Sequence, residues 1–147
     1  MPDVIIRKMM EKDLESVVAI EKEVFPDPWN YDAFKSDLNN EMAWPLVSLV
    51  DGKVAGYSCI YIVMDETQIG NFAVSPDHRK LGIGKKMMDE VIKIALNRKC
   101  KNIFLEVRES NKPAQALYIS FGFKAAGRRS AYYRHPVENA IIMVKEL

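Results

Sequence analysis

The chain has 147 residues, of which 48% are hydrophobic and 28% charged, with 21 Lys plus Arg against 20 Asp plus Glu. A chain of this length buries roughly 70% of the surface of its unfolded form, so it needs no disulfide or metal to hold a core. The net charge of +1 argues against a domain whose main role is to bind nucleic acid. The sequence predicts a single domain over residues 1–147.

Neither export nor membrane insertion is expected. Residues 1–15 contain no long apolar run, and no other stretch approaches the ~20 apolar residues that span a bilayer. We therefore expect a cytoplasmic protein. Cys59 and Cys100 lack C-x-x-C spacing and His partners, so we expect no metal site and interpret both as small buried residues. No heptad predicts a partner helix, and no oligomeric state is predicted.

The first half of the chain predicts strands alternating with two helices. Residues 4–8 are typical of a strand, and Asp13 is expected to cap a helix. The inward face of this helix is predicted at Leu14, Val17, Val18, Glu21 and Val24. A short helix follows at residues 31–39. Strands are expected at residues 45–50, 54–64 and 68–74, with a hairpin turn at residues 51–52.

The second half predicts a parallel crossover and a closing pair of strands. A long helix is expected at residues 82–99 and a buried strand at residues 102–107. The next helix begins at Ser110 or Asn111 and ends before Gly122. The last two strands are expected near residues 123–129 and 139–146. The predicted fold class is α/β, with a mixed, mainly antiparallel sheet of about seven strands and about four helices.

A glycine loop between a strand and a helix predicts an anion site. In NFAVSPDHRKLGIGKKMMDEVI, residues 71–92, Gly82 and Gly84 allow main-chain N–H groups to converge on phosphate oxygens at the positive end of the helix. The lysines around this loop add positive charge at the rim of the predicted anion site. The alternative is a glycine-rich turn with solvated lysines. The spacing fits neither the Walker loop nor the dinucleotide fingerprint.

This loop resembles the acetyl-CoA loop of the GNAT acetyltransferase superfamily, because Arg79, Gly82 and Gly84 match its pattern Q/R-x-x-G-x-G/A. The order of elements is similar throughout. The resemblance implies that the loop main chain holds the cofactor pyrophosphate and that the preceding strand pairs with the pantetheine arm. The first role falls on Arg79, Lys80, Leu81, Gly82, Ile83, Gly84 and Lys85. The second falls on Phe72, Ala73 and Val74.

A second block, LEVRESNKPAQALYISFGFKAAG at residues 105–127, resembles the signature of N-terminal protein acetyltransferases, especially those that modify ribosomal-protein alanines. EVFPDPWN and DETQIGNFAV, further upstream, resemble the same branch. The resemblance implies acetyl transfer from acetyl-CoA to a protein N-terminus, with a ribosomal protein as the target. The alternatives are transfer to a lysine or a small amine, and a non-catalytic acyl-CoA-binding domain.

Two side chains are candidates for the proton transfers. Glu106 alternates with core residues on its strand and suits a general base, although it could instead pair with Arg108 or a lysine. Tyr118 could protonate a thiolate, although its helical spacing also fits a core aromatic residue. The resemblance assigns these same roles to both residues and places Asn111 against the pantetheine arm.

An aromatic cleft for the acceptor is predicted from the remaining aromatic residues. Its candidate members are Phe25, Trp29, Tyr31, Tyr132 and Tyr133, of which half are core residues in the alternative interpretation. The segment before the last two resembles the family's closing segment but carries an extra residue. An α-amine, with a pKa near 7.7–8.0, is about one-tenth neutral at pH 7, whereas lysine is almost wholly charged. One carboxylate base therefore suits an N-terminal acceptor better. His78 and His135 are assigned no role.

Overall fold

The computed structural model describes residues 3–147. In chain order, the elements are β1 Val4–Lys8, α1 Leu14–Val24, α2 Tyr31–Leu38, β2 Ala43–Val50, β3 Lys53–Val63, β4 Glu66–Val74, α3 Ile83–Asn97, β5 Asn102–Arg108, α4 Lys112–Ser120, β6 Lys124–Arg134 and β7 Val137–Glu146. Within the described residues, seven strands form one sheet in the order β1-β2-β3-β4-β5-β7-β6, with four α-helices. This is the predicted fold class.

Strands β4 and β5 are the parallel neighbours in this sheet, and they pair over only part of their length. Residues Glu66 to Ile69 face Asn102 to Leu105. Beyond this point β4 continues to pair with β3, and β5 continues to pair with β7. The edges that β4 and β5 turn toward each other are therefore left unpaired at the ends of the two strands, and a cleft opens between them.

The two faces of the sheet carry separate hydrophobic clusters. On one face, α1 and α2 pack against β2 and β3 through Leu14, Val17, Phe34, Val47 and Tyr57. On the other, α3 and α4 pack against the centre of the sheet through Met87, Val91, Ile103, Leu105, Tyr118 and Phe123. Each large side chain fully buried here contributes roughly 1.5–3 kcal/mol relative to exposure. The sheet is thus held rigid on both sides of the cleft.

The predicted capping role of Asp13 is wrong. Its carboxylate binds the Arg7 guanidinium at 2.7 and 3.0 Å and accepts the Met10 N–H at 2.8 Å. Through these contacts Asp13 stabilises the short 3-10 turn Glu11–Asp13, which precedes α1, and does not cap α1. The turn and the first strand are thereby tied together, and α1 begins without a side-chain cap.

Other boundaries differ from prediction by a few residues. Helix α3 ends at Asn97, and Lys99 takes a positive φ of 60° that no right-handed helix continues. Strand β2 begins at Ala43, before the predicted start. Strands β6 and β7 are longer than predicted and meet in a tight turn, because they pair along nearly their whole length. Cys59 and Cys100 are buried and free.

Candidate active site

The cleft between β4 and β5 has a volume of about 1490 Å³. The start of α3 lines one part of it, and the loop after α1 lines another. The unpaired ends of β4 and β5 form the walls between them, and α4 and the end of β6 complete the lining. The cleft therefore joins the predicted anion loop to the predicted acceptor loop.

The anion end of the cleft is built by the turn into α3. Gly82 has a φ of +76°, a left-handed conformation that a side chain disfavours, and Ile83 is buried and anchors the helix start. The N–H groups of the first helical turn have no partners within the helix and lie at its positive end. Because Gly82 and Gly84 both line the cleft, these N–H groups are available to bind phosphate oxygens, as the sequence predicts.

Most residues predicted to hold the cofactor lie along this cleft. Those lining it are Phe72, Ala73, Val74, Arg79, Lys80, Gly82, Ile83, Gly84, Lys85 and Asn111. Leu81 is placed elsewhere, since it packs against the cluster of Val50, Ala55 and Ile83. Lys85 forms an exposed ion pair with Asp89 at 3.1 Å. Along the wall of β4, the predicted pantetheine residues present the edge that β5 leaves unpaired.

Asn111 caps the start of α4 and is one of the two residues predicted to begin this helix. Its side-chain oxygen accepts the Ala114 N–H at 3.2 Å. The side-chain NH₂ group has no hydrogen-bond partner among the residues that the structure describes, and the residue lines the cleft. Asn111 can therefore cap the helix with one end of its amide and donate to a ligand with the other.

Glu106 lies in β5 just beyond its last pair with β4. Its side chain is 9% exposed, with Arg129 Nε at 3.4 Å from one carboxylate oxygen and Gln68 Nε2 at 3.3 Å from the other. The predicted alternative partner, Arg108, is engaged elsewhere: it binds Glu138 and the carbonyl oxygens of His135 and Pro136. Glu106 is thus a carboxylate in the cleft, held by one exposed guanidinium and one amide.

Tyr118 belongs both to the core and to the cleft. Its ring packs edge-on against Phe72 and Phe123, with centroids 6.1 and 5.8 Å away. The hydroxyl makes no hydrogen bond within the described part of the chain, and the residue lines the cleft. Burial raises the pKa of Tyr118 above its usual range, and nearby Tyr133 adds to the rise. The phenol therefore keeps its proton at neutral pH.

The predicted acceptor end is lined by aromatic rings from the loop after α1 and from strand β6. Phe25, Trp29, Tyr132 and Tyr133 all line the cleft, whereas Tyr31 is exposed at the start of α2 and does not. A Cβ on Gly70 would lie 2.7 Å from the Tyr61 ring and 3.2 Å from the Trp29 ring. The glycine in β4 therefore allows both rings to close over the strand, a requirement that the sequence motif did not reveal.

A bulge in β6 brings both tyrosines of the closing segment to the cleft. Arg129 pairs with Ala140 and Tyr133 with Glu138, so four steps along β6 span two along β7. Ala131, within the bulge, has a φ of +49°. Successive residues on a regular strand face opposite sides, but this irregularity lets Tyr132 and Tyr133 face the same space. The position predicted for an extra residue, between the arginines and the two tyrosines, lies in this bulge.

Three polar residues of the cleft were missed as site residues. Glu21 is buried and accepts hydrogen bonds from Tyr57, Asn71 and the main chain of Trp29. Gln68 contacts Glu106, and Asn71 lines the cleft beside Glu21. The signal for Glu21 was present, because a carboxylate interrupts the apolar face of α1. The partners themselves are 8 to 50 residues away along the chain and could not be read from spacing.

Among residues 3–147 there is no group of three or more His, Cys, Asp or Glu side chains arranged to hold a metal ion. No helix in this part of the chain is long and apolar enough to cross a membrane.

Comparisons with known proteins agree with this geometry. The sequence profile of the Acetyltransferase (GNAT) family matches residues 14–123. A Bacillus subtilis protein, named provisionally as a ribosomal protein bS18-alanine N-acetyltransferase, is 39% identical over 94% of this chain and 92% of its own. The Escherichia coli (strain K12) ribosomal protein bS18-alanine N-acetyltransferase is 34% identical over 94% of both chains.

Solved structures give the same result. The crystal structure of the Escherichia coli ribosomal-protein-S18-alanine N-acetyltransferase superposes with a TM-score of 0.89 at 32% identity, covering 98% of this chain and 94% of that one. Ard1 from Thermoplasma volcanium gives a TM-score of 0.91 at 26% identity, covering 98% and 97%. The chain belongs to the GNAT acetyltransferase family. It is an N-acetyltransferase that uses acetyl-CoA.

The residues of the cleft fit acetyl-CoA. A Cβ on Gly84 would meet the Phe72 and Val74 side chains only at 3.9 Å, an ordinary contact, so the protein itself does not need a glycine there. The absence of a side chain instead leaves the main chain of the first turn open to phosphate. The unpaired edge of β4 leads from this turn toward Glu106, which gives an extended arm a main-chain surface to follow.

Proposed function

We propose that this enzyme acetylates the α-amine of a protein N-terminus, with an alanine at the start of a ribosomal protein as the acceptor. The names of its relatives in Bacillus subtilis and Escherichia coli support this substrate class. The observation that carries the proposal is the position of Glu106, in the cleft between the phosphate loop and the aromatic rings of the acceptor end. We place this activity in the cytoplasm, where ribosomal proteins are made. We assign it to one domain over residues 1–147.

The phosphate end and the β4 edge bind the donor. The main-chain N–H groups of residues 82–85 hold the pyrophosphate, with Arg79, Lys80 and Lys85 adding positive charge at the rim. Phe72, Ala73 and Val74 align the arm along β4, and the free NH₂ group of Asn111 donates to it. Acetyl-CoA supplies the acetyl group as a thioester, whose carbon–sulfur bond breaks as the amine forms the new carbon–nitrogen bond.

Glu106 takes the proton of the acceptor ammonium. An α-amine has a pKa of about 7.7–8.0, so a single carboxylate suffices to generate the neutral nucleophile near neutral pH. Arg129 and Gln68 hold the two carboxylate oxygens of Glu106 in place. Because the guanidinium of Arg129 is more than half exposed, it can move aside as the positively charged N-terminus arrives.

Tyr118 provides the complementary proton. Its buried phenol remains protonated, because burial raises its pKa. The hydroxyl has no competing hydrogen bond within the described residues and can donate to the sulfur that leaves. Its ring is fixed between Phe72 and Phe123, so the direction of the hydroxyl is set by packing.

The test is a reaction with acetyl-CoA and two peptides, followed by mass spectrometry. One peptide has a free N-terminal alanine and no lysine, and the other has a blocked N-terminus and one lysine. We expect acetylation of the first peptide only. Acetylation of the lysine peptide alone would reassign the acceptor, and acetylation of neither would contradict a peptide substrate.

A further inference from the structure

Glu21 is the most deeply buried carboxylate of the cleft, with 2% of its surface exposed. One carboxylate oxygen accepts the Tyr57 hydroxyl at 2.6 Å and the Asn71 NH₂ group at 3.1 Å. The other accepts the Trp29 main-chain N–H at 3.0 Å. Within residues 3–147, no cation lies within ion-pair distance of it. Burial raises the pKa of Glu21, and the hydrogen bonds from Trp29, Tyr57 and Asn71 oppose this rise by stabilising the carboxylate.

The same residue ties both ends of the loop that receives the acceptor. The main-chain oxygen of Glu21 accepts the Phe25 N–H at 3.0 Å, where α1 ends. The side chain then accepts the N–H of Trp29, four residues later. Between these positions Pro26 and Pro28 have no N–H to donate, so the loop has few other main-chain contacts to make. Glu21 thus accepts a main-chain hydrogen bond at the beginning of the loop and another at its end.

Glu21 also connects this loop to the strand that binds the donor. Asn71 lies in β4 directly before the predicted pantetheine residues, and Tyr57 lies opposite β4 in β3. The Trp29 ring extends from the loop to cover Gly70 in the same strand. The loop and the strand are therefore both fixed relative to one carboxylate.

We propose that Glu21 is a positioning residue, which sets the acceptor loop at residues 25–29 against the donor strand by holding the Trp29 N–H. It acts through the loop and does not touch the reacting atoms. This inference rests on the proposed function only in that the loop receives a peptide N-terminus. Loss of the contact should let the loop move away and weaken peptide binding, while the phosphate end remains intact.

The test compares two variants of the same network. Glu21→Met keeps a side chain of similar length but removes every acceptor, whereas Tyr57→Phe removes one donor and leaves the Trp29 contact. Both are made in a Trp44→Phe background, so that Trp29 is the single tryptophan and its emission reports the loop. We expect a red shift of emission in Glu21→Met and none in Tyr57→Phe. Glu21→Gln, whose amide oxygen can still accept the N–H, should restore the original emission.

Kinetics provide the second readout. Loss of the hydrogen bond to the Trp29 N–H should raise the peptide KM roughly ten-fold in Glu21→Met, with the acetyl-CoA Kd unchanged. Unchanged emission and peptide KM in this variant, or equal changes in Tyr57→Phe, would overturn the proposal. If the wild-type enzyme acetylates no peptide, the proposed function fails, while the emission of Trp29 still decides the role of Glu21.

A measurement on the unmodified chain covers the case in which Glu21→Met does not fold. Amide hydrogen exchange of Trp29 reports its hydrogen bond directly. Exchange much slower than that of Asp27, in the same loop, supports the proposal. Exchange as fast as that of Asp27 contradicts it.

Discussion

Glu106 and Tyr118 have opposite environments, which suits them to opposite roles. Glu106 faces the cleft with an exposed guanidinium at one oxygen, so its negative charge is balanced and accessible to an arriving ammonium. Tyr118 is enclosed by aromatic rings, and burial raises its pKa. The proposed acid therefore keeps its proton at neutral pH, and the proposed base lies where an ammonium can reach it.

Replacing Glu106, the proposed base, should remove turnover while leaving donor binding intact. Glu106→Gln keeps the shape of the side chain but cannot take a proton, so kcat should fall by roughly 10²–10⁴. The acetyl-CoA Kd, measured by calorimetry, should not change. The matched control is Glu66→Gln, because Glu66 is an exposed carboxylate at the other end of the segment in which β4 pairs with β5. Full activity in Glu106→Gln would exclude this residue from the reaction.

Replacing Tyr118, the proposed acid, should lower turnover without lowering the stability of the fold. Tyr118→Phe removes a hydroxyl that has no hydrogen-bond partner in the described chain and keeps the ring, so Tm should barely change. We expect kcat to fall at least ten-fold, within the range of general acid catalysis, with little effect on either KM. An equal loss of stability and activity would instead indicate a purely structural tyrosine.

The raised pKa of Tyr118 also fixes the sign of its pH effect. A phenol whose pKa lies above its usual value stays protonated over a wider alkaline range. Wild-type kcat should therefore show no loss from Tyr118 ionisation below about pH 10. A pH–rate profile that falls near pH 8 in the wild type, but not in Tyr118→Phe, would contradict this assignment.

The identity of the two candidate proton-transfer residues could be predicted, but their partners could not. Glu106 interrupts an apolar strand, and that pattern is local. Arg129, 23 positions later in the chain, reaches Glu106 from β6, and this contact depends on how β6, β7 and β5 pair in the sheet. The same holds for Glu21, whose position on a helix face was recognised but whose contacts depend on tertiary packing.

At the scale of elements, the proposed donor site depends on two features together: the turn into α3 and the separation of β4 from β5. The turn supplies N–H groups at a helix start, and the separation supplies an unpaired strand edge that leads away from them. Neither would hold an extended nucleotide thioester alone. Loss of the phosphate end should therefore weaken donor binding without altering the acceptor end.

A matched pair of glycine substitutions tests this. Gly82 and Gly52 have φ values of +76° and +79°, and a Cβ at either would meet no atom within 4 Å. Alanine at each position should therefore cost a similar backbone strain, about 1–2 kcal/mol. Only Gly82→Ala should also weaken acetyl-CoA binding, because its methyl group approaches the phosphate site. Equal acetyl-CoA Kd values for Gly82→Ala and Gly52→Ala would contradict a main-chain phosphate site.

Elements with a local cause were predicted well. The hairpin turn before β3, the cap of α4 by one of the two candidates Ser110 and Asn111, and the end of that helix before Gly122 follow from single residues, and all three are found. The β6 bulge and the premature separation of β4 and β5 have no local signal. Both features arise from the pairing between neighbouring strands, and the sequence of one strand alone does not determine that pairing.

At the scale of the whole molecule, each layer of helices supplies one side of the reaction. Helices α3 and α4 carry the phosphate end and Tyr118, whereas the loop between α1 and α2 carries the aromatic rings of the acceptor end. The two layers lie on opposite faces of one sheet and meet in the gap between β4 and β5. Donor and acceptor can therefore enter from different sides, and Glu106 lies where they meet.

The most direct test of this arrangement uses one peptide that carries both kinds of amine. The peptide begins with a free alanine and contains a lysine several residues later, and fragmentation mass spectrometry locates the acetyl group after a limited reaction with acetyl-CoA. We predict acetyl on the N-terminal nitrogen alone, and none on either amine with Glu106→Gln under the same conditions. Acetyl on the lysine in preference to the N-terminus would contradict the account.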